Sequence, residues 1–388
     1  MNRRNFLSLT GTFTGGLLVL PDFLHALGTQ PLQNQKDSCV VFIQLNGGND
    51  GLNTYIPFDH PGYYDLRPHI AIAKNDIIGK NNGMGWHPAL KNWNTIQQNG
   101  DLTVIQNVGY PSPNRSHFRS QEIWQTASGA QEYLTEGWLG RYLDLQCTTT
   151  QPTGGVNIDS IDNLALRGKE PNSITVKDPA RFRSQATTEA SQLSTNPQLD
   201  FVRKIASTVV EGADDIRRAI AASQTEVSYP TTALGKNLEW IARLIKGNLH
   251  THVYYTSQNG YDTHDNQKSI HQNKLKELDE AVFAFYTEIK RAGLLSQVTL
   301  VVFSEFGRRV RDNGNGTDHG TAAPVFVIGG HTTGKVVGTN PNLEDLDQGD
   351  LKFETDFRSV YATLLQQKLQ HQPTSIGITQ APLSGIFR

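Results

Sequence analysis

A continuous apolar run, Cys39–Leu45 (CVVFIQL), is cut off by Asn46-Gly47-Gly48-Asn49-Asp50-Gly51, and this junction constrains the fold more than any other part of the chain. An apolar run without alternation is what a strand covered on both faces requires. Such a strand belongs in the interior of a parallel sheet. Ligands of open parallel sheets gather beyond the carboxyl ends of the strands. The residues after Leu45 therefore read as one wall of a site.

Further strands are predicted at Leu102–Val108, His252–Thr256, Val298–Phe303 and Val325–Ile328. Between them apolar residues recur at three- and four-residue spacing, as an amphipathic helix demands: Leu234, Leu238, Ile241 and Ile245, then Leu275, Leu278, Val282, Phe285 and Ile289. Another helix is expected over Phe357–Leu369, ahead of Pro373. Strands alternating with helices predict the α/β class, as a three-layer α/β/α sandwich with a mostly parallel central sheet. Thr148–Gly155 and Ser184–Pro197 are rich in Thr, Ser, Gln and Pro and read as loops. The expected organisation is a single domain over residues 38–388 with a loop-rich insertion around 148–200.

The first 28 residues read differently. Arg3-Arg4 stand before Asn5-Phe6-Leu7, an apolar stretch runs from Phe13 to Leu20, and small residues follow near Ala26 and Gly28. This is the order of a twin-arginine export signal. The apolar stretch is too short to span a bilayer, which takes about 20 residues. The expectation is export by the twin-arginine translocase to the periplasm or beyond, with no transmembrane segment in the mature protein. A net charge of −2 gives no electrostatic case for nucleic acid. Two cysteines, Cys39 and Cys147, are too few for a cysteine zinc site, and their pairing stays open.

Four polar clusters fall at or beyond strand ends. The first is the Gly-rich turn carrying Asp50. The second is Asn114-Arg115-Ser116-His117, where a hydroxyl stands between a guanidinium and an imidazole: Ser116 is a candidate nucleophile, and Arg115 and His117 are candidate partners. The third is Gly260-Tyr261-Asp262-Thr263-His264. In extended backbone, residues two apart point to the same side, so Asp262 and His264 can reach one cation. The fourth is split between Ser304-Glu305-Phe306-Gly307-Arg308 and Gly316-Thr317-Asp318-His319-Gly320. Asp50, Asp262, His264, Glu305, Asp318 and His319 are the candidate metal ligands. His271 and His331 lack such surroundings and read as structural or solvated.

These motifs, together with SQEIW at 120–124, GWLGRYL at 137–143, TDHGTAAP at 317–324 and DFRSVY at 356–361, resemble the exported proteins of domain-of-unknown-function family 1501. That family in turn looks like a divergent branch of the alkaline phosphatase and sulfatase superfamily. The resemblance implies an alkaline phosphatase-like sandwich, a hydroxyl nucleophile and one or two divalent ions (zinc, manganese or calcium). Carried over residue by residue, Asp50 is the ligand after the first strand and Ser116 takes the nucleophile position. Asp262 and His264 bind one metal, Glu305 replaces the usual aspartate, and His319 is the late histidine. Glu305-Phe306-Gly307 departs from the superfamily's Asp-His-Gly. Phe306 cannot bind metal, so a second site has lost a ligand or rebuilt it from Asp318 or His117.

Three functions compete on this basis. The first is a metal-dependent hydrolase acting on a small anionic phosphate or sulfate ester or a glycan, with a hydroxyl or a metal-bound water as nucleophile and Arg115 or Arg308 clamping the anion. The second is a non-catalytic exported binding or surface-assembly protein that keeps the fold. The third is a metal-free glycan-processing enzyme using Asp262 and Glu305 as paired carboxylates. On the export reading, Arg3→Lys combined with Arg4→Lys leaves the precursor in the cytoplasm on cell fractionation. Normal export of that variant would contradict the assignment.

Overall fold

The computed structural model describes residues 38–147, 149–182 and 197–388, so the export-signal reading at 1–28 lies outside the described residues. Nine strands form the central sheet: β1 (Cys39–Asn46), β2 (Leu102–Gly109), β3 (Gly155–Asn157), β4 (Ser173–Thr175), β5 (Val253–Asn259), β6 (Val298–Ser304), β7 (Ala323–Ile328), β8 (Val336–Val337) and β9 (Thr355–Asp356). Their order is β8-β2-β7-β6-β1-β5-β3-β4, with β9 also pairing β2. The apolar run does become an interior strand. β1 is parallel to both neighbours, in register from Val40↔Val253 to Asn46↔Asn259 on one side and from Cys39↔Val298 to Leu45↔Ser304 on the other.

Side chains along β1 alternate between two cores. Val41, Ile43 and Leu45 enter one with residues of α1 (Lys91–Gln98), α5 (Ala233–Lys246) and α6 (Gln267–Arg291). Val40 and Phe42 enter the other with residues of α2 (His117–Thr126), α3 (Trp138–Gln146) and α7 (Phe357–Gln367). Burial on both faces is why the run shows no polar alternation. The three-layer α/β/α sandwich expected from the sequence is the observed architecture. Of the stretch read as a loop-rich insertion, β3 and β4 extend the sheet beyond β5 by two short strands, β4 at the edge, and α4 (Pro197–Ala221) follows. Strands of three residues are too short to leave a periodic signal.

Pairings to β7 are antiparallel, to β6 on one side and β2 on the other. This reversal decides where the site lies. The carboxyl ends of β1, β2, β5 and β6 open onto the same edge as the amino end of β7. The Asp318-His319 turn, which precedes β7, therefore arrives where the other clusters follow their strands. Cys39 and Cys147 are both free thiols, with burial pushing the Cys39 thiol up to about 12 and Cys147 to about 11. No helix among the described residues is long and apolar enough to cross a membrane.

His271, on α6, is buried and accordingly structural. Its Nε2 donates to Asn49 Oδ1 at 2.9 Å, and His87 is buried beside it, accepting from the Ala89 N–H at 3.1 Å. Burial lowers both imidazoles, to about 4 for His271 and about 3 for His87, from an ordinary 6.5. Below 6.5 the unfolded chain takes up protons that the folded chain refuses, so these groups withdraw stability as pH falls from 6.5 through about 3. Urea unfolding across that window should show stability declining with acidification, and His271→Gln should flatten the decline. An unchanged slope would contradict the neutral buried state.

Candidate functional site

The site begins with how closely the loops approach. Gly47, after β1, sits at φ +117°, and a Cβ there would lie 2.4 Å from the Asp262 backbone nitrogen. Only glycine allows that approach. Across the cluster, a Cβ on Gly316 would meet the His264 carbonyl at 2.5 Å. The first loop is also tied to the end of β6: Gly47 N–H donates to Glu305 Oε1 at 2.9 Å, and Asn49 N–H donates to Ser304 Oγ at 2.9 Å.

Three imidazoles then converge on one carboxylate oxygen. Asp262 Oδ1 lies 3.0 Å from His264 Nε2, 3.2 Å from His319 Nε2 and 3.4 Å from His117 Nε2. His264 Nε2 and His319 Nε2 are 3.0 Å apart. Donor atoms of His117, Asp262 and His319 all fall within 4.8 Å of one another. Each histidine is gripped from behind through its other nitrogen. His117 Nδ1 meets Glu305 Oε1 at 2.8 Å, His264 Nδ1 meets Asp318 Oδ1 at 3.0 Å, and His319 Nδ1 meets the Arg115 carbonyl at 2.7 Å. All three rear partners are acceptors, which suits a proton on each Nδ1, and Asp262 Oδ1 is a further acceptor facing each Nε2. With protons on both Nδ1 atoms, two Nε2 lone pairs 3.0 Å apart would repel unless a cation or a further proton lay between them.

Electrostatics follow from the same contacts. Burial opposes ionisation of Asp262, but the Arg308 hydrogen bond and charge, with His319 and His117, carry its carboxyl down to about 2. The bond to Glu305 raises His117, against burial and with further help from Asp262. Burial lowers His319. Phe306 is buried, its ring centroid 4.9 Å from that of His117 and 5.1 Å from that of His319, so the residue that broke the superfamily pattern forms an apolar wall for the histidines.

Not every expected residue takes the expected part. Asp50 does not join the cluster. Its Oδ2 accepts from Arg67 Nη1 at 2.6 Å and from Gln267 Nε2, and Arg67 is anchored by the carbonyls of Val310 and Arg309, both at 2.8 Å. Burial opposes the Asp50 charge, and Arg67 still holds its carboxyl below the ordinary range. Glu305 is fully buried and faces the back of His117 rather than the common centre, which also denies it a partnership with Asp262 as a catalytic carboxylate. Asp318 likewise stands behind His264. Of the two proposed anion clamps, Arg308 is wholly enclosed and Arg115 is partly exposed. Arg115 pairs with the buried Asp350, while Arg308 is fully engaged by oxygen atoms of the loops. Ser116 is the exposed N-cap of α2, and its hydroxyl makes no capping bond. In sequence it lies between Arg115, whose carbonyl meets His319, and His117, whose ring meets Asp262. Sequence reasoning missed Arg67, Gln267 and Gln121, whose amide reaches Glu305 Oε1 at 3.3 Å. None of them stands at a strand end.

Solved structures give distant likenesses. The lipoteichoic acid synthase LtaP from Listeria monocytogenes is 9% identical with a TM-score of 0.39, over 78% of this chain and 66% of that one, just under two thirds of its length. A protein in the alkaline phosphatase superfamily from Vibrio parahaemolyticus is 12% identical with a TM-score of 0.38, over 79% of this chain and 63% of that one. The PsFucS1 sulfatase from Pseudoalteromonas sp. is 10% identical with a TM-score of 0.38, over 91% of this chain and 73% of that one. No functionally curated protein matches the sequence. Residues 103–369 match the family described as "Protein of unknown function (DUF1501)", the family to which the strand-end motifs had pointed. That match spans well over half of the sequence, and the chain belongs to the DUF1501 family.

Proposed function

We propose that this chain is an exported, metal-dependent hydrolase of phosphate or sulfate esters. The observation that carries the reading is the convergence of three imidazole Nε2 atoms on Asp262 Oδ1, with each Nδ1 held by an oxygen acceptor. Histidines that bind metal are characteristically oriented in this way by an outer carboxylate or carbonyl. His117 Nε2 is moreover buried without a hydrogen-bond partner among the described residues. Three nitrogens and one carboxylate suit zinc, manganese or iron. They fit calcium poorly, because calcium takes six to eight oxygens. The residues present thus fit a divalent transition ion, held by His117, His264, His319 and Asp262.

Such an ion would polarise the ester and lower the pKa of the attacking hydroxyl or water. The chain's own residues contribute the geometry. Glu305, Asp318 and the Arg115 carbonyl accept at each Nδ1, which would leave each Nε2 to bind the ion. Phe306 excludes water from one side. Ser116 presents an uncapped hydroxyl beside His117 and is the proposed nucleophile. A second reading, a non-catalytic binding protein with a structural ion, is favoured by the count of donors, since four protein ligands can close a tetrahedral sphere.

Metal analysis of protein from its native compartment, paired with turnover of aryl phosphates and aryl sulfates, separates the two. The hydrolase reading expects bound metal and turnover. Ser116→Ala should lose most turnover and keep its metal, while His264→Ala should lose both. A metal-loaded but inert wild type would favour the binding protein, and a fully active Ser116→Ala would move the attack to water.

The corrected roles of Asp50 and Glu305 are separable by the same assay with a stability measurement. Asp50→Asn leaves Arg67 buried without its countercharge, a loss of about 3–5 kcal/mol in denaturant unfolding, with metal content unchanged. Glu305→Gln should weaken metal binding about 10–100-fold, as loss of an outer-sphere partner does. Metal loss in Asp50→Asn would return Asp50 to the ligand set.

A further inference from the structure

The pocket that holds the Arg308 guanidinium is lined by oxygen. Nε donates to Gly48 O at 2.8 Å and Nη1 to Thr317 O at 2.8 Å. Nη2 faces Gly47 O at 2.5 Å, Tyr261 O at 2.9 Å and Asp262 Oδ1 at 2.6 Å. The side chain is wholly buried. Backbone carbonyls and a carboxylate gathered from three loops are the surroundings that hard cations take. Here they surround a planar cation that cannot lose its proton. Asp262 Oδ1 belongs to both neighbourhoods: Arg308 lies on one side of it and the histidine cluster on the other. One carboxylate oxygen between two cation positions is the arrangement expected where two metal ions share a ligand, with a guanidinium in place of one of them.

We propose that Arg308 is the resident second cation of the site: its guanidinium permanently fills the oxygen-lined position beside the histidine cluster, shares Asp262 with the ion bound there, and limits the chain to one metal ion. The single ion rests on the metal-centre reading above, whereas the role of Arg308 rests on its own contacts. Two consequences follow. The loops stay assembled when metal is absent, because one of the two cations is covalent. Arg308 also cannot leave to grip a substrate anion, since every nitrogen of its guanidinium already meets a protein oxygen. The nearby Asp50 is neutralised in the same manner by Arg67, and although its Oδ1 is buried without a hydrogen-bond partner among the described residues, the charges of Arg67 and Arg308 both act on its carboxylate.

The test pairs metal stoichiometry with chemical rescue on the full chain. Native mass spectrometry after titration with zinc, and separately with manganese, should give one ion per wild-type chain. Two ions in the wild type would overturn the proposal. Arg308→Ala should melt at a lower temperature than wild type. Millimolar ethylguanidinium should restore the melting temperature, and ethylammonium at equal concentration should restore much less. If the variant does not fold alone, refolding in ethylguanidinium provides the same readout through the yield of folded protein. Absence of rescue in both forms overturns the assignment. A wild type that binds no metal would sink the metal-centre reading, and the rescue experiment would still decide the role of Arg308.

Discussion

The site depends on the buried guanidinium of Arg308. Three loops that are distant in sequence, around Gly47, Tyr261 and Thr317, each end in carbonyl groups that have left their strands. Away from water, such groups need donors. Arg308 supplies them from a single planar head, because its nitrogens are spread in a fixed fork that a lysine ammonium does not reproduce. With the carbonyls satisfied, the loops can pack closely enough for Asp262, His264 and His319 to meet. The glycine at position 47 is the steric counterpart of that electrostatic tie.

Around this knot the histidines are arranged by what stands behind them. Glu305 and Asp318 point carboxyl oxygens at Nδ1 atoms, while the backbone of Arg115 does the same for His319. Three acceptors from two connections, one before α2 and one between β6 and β7, each engage an Nδ1. Hydrogen bonding for stability alone would not require all three inner nitrogens to face the same carboxylate oxygen. The acidic residues of the cluster are thus divided in what they face. One carboxylate points inward, two hold imidazoles, and Asp50 is locked away by Arg67.

Much of the fold was legible in the sequence because it rests on one strong signal. A strand buried on both faces cannot alternate, and Cys39–Leu45 does not; the helix periods of α5 and α6 are equally plain. Asp262, His264 and His319 of the expected metal ligands, and His117 of the expected catalytic residues, all stand beside strand ends, although the reversal of β7 that brings His319 to the same edge leaves no mark in composition. Roles were harder to read than places. Asp50 and Glu305 occupy strand-end positions like a ligand, and only the arrival of Arg67 from a separate turn and of His117 from the start of α2 determines what they bind. Those are tertiary facts, set by long-range packing rather than by local spacing. The short strands β3 and β4 escaped notice because three residues hold no period.

X-ray absorption at the metal edge, on natively purified protein, tests the central claim most directly. The account predicts an edge for zinc, manganese or iron, with the multiple-scattering signature of three imidazole ligands and one oxygen from a carboxylate, at bond lengths of about 2.0–2.2 Å. A metal surrounded by oxygen alone, or a protein that shows no bound metal at all, would contradict it.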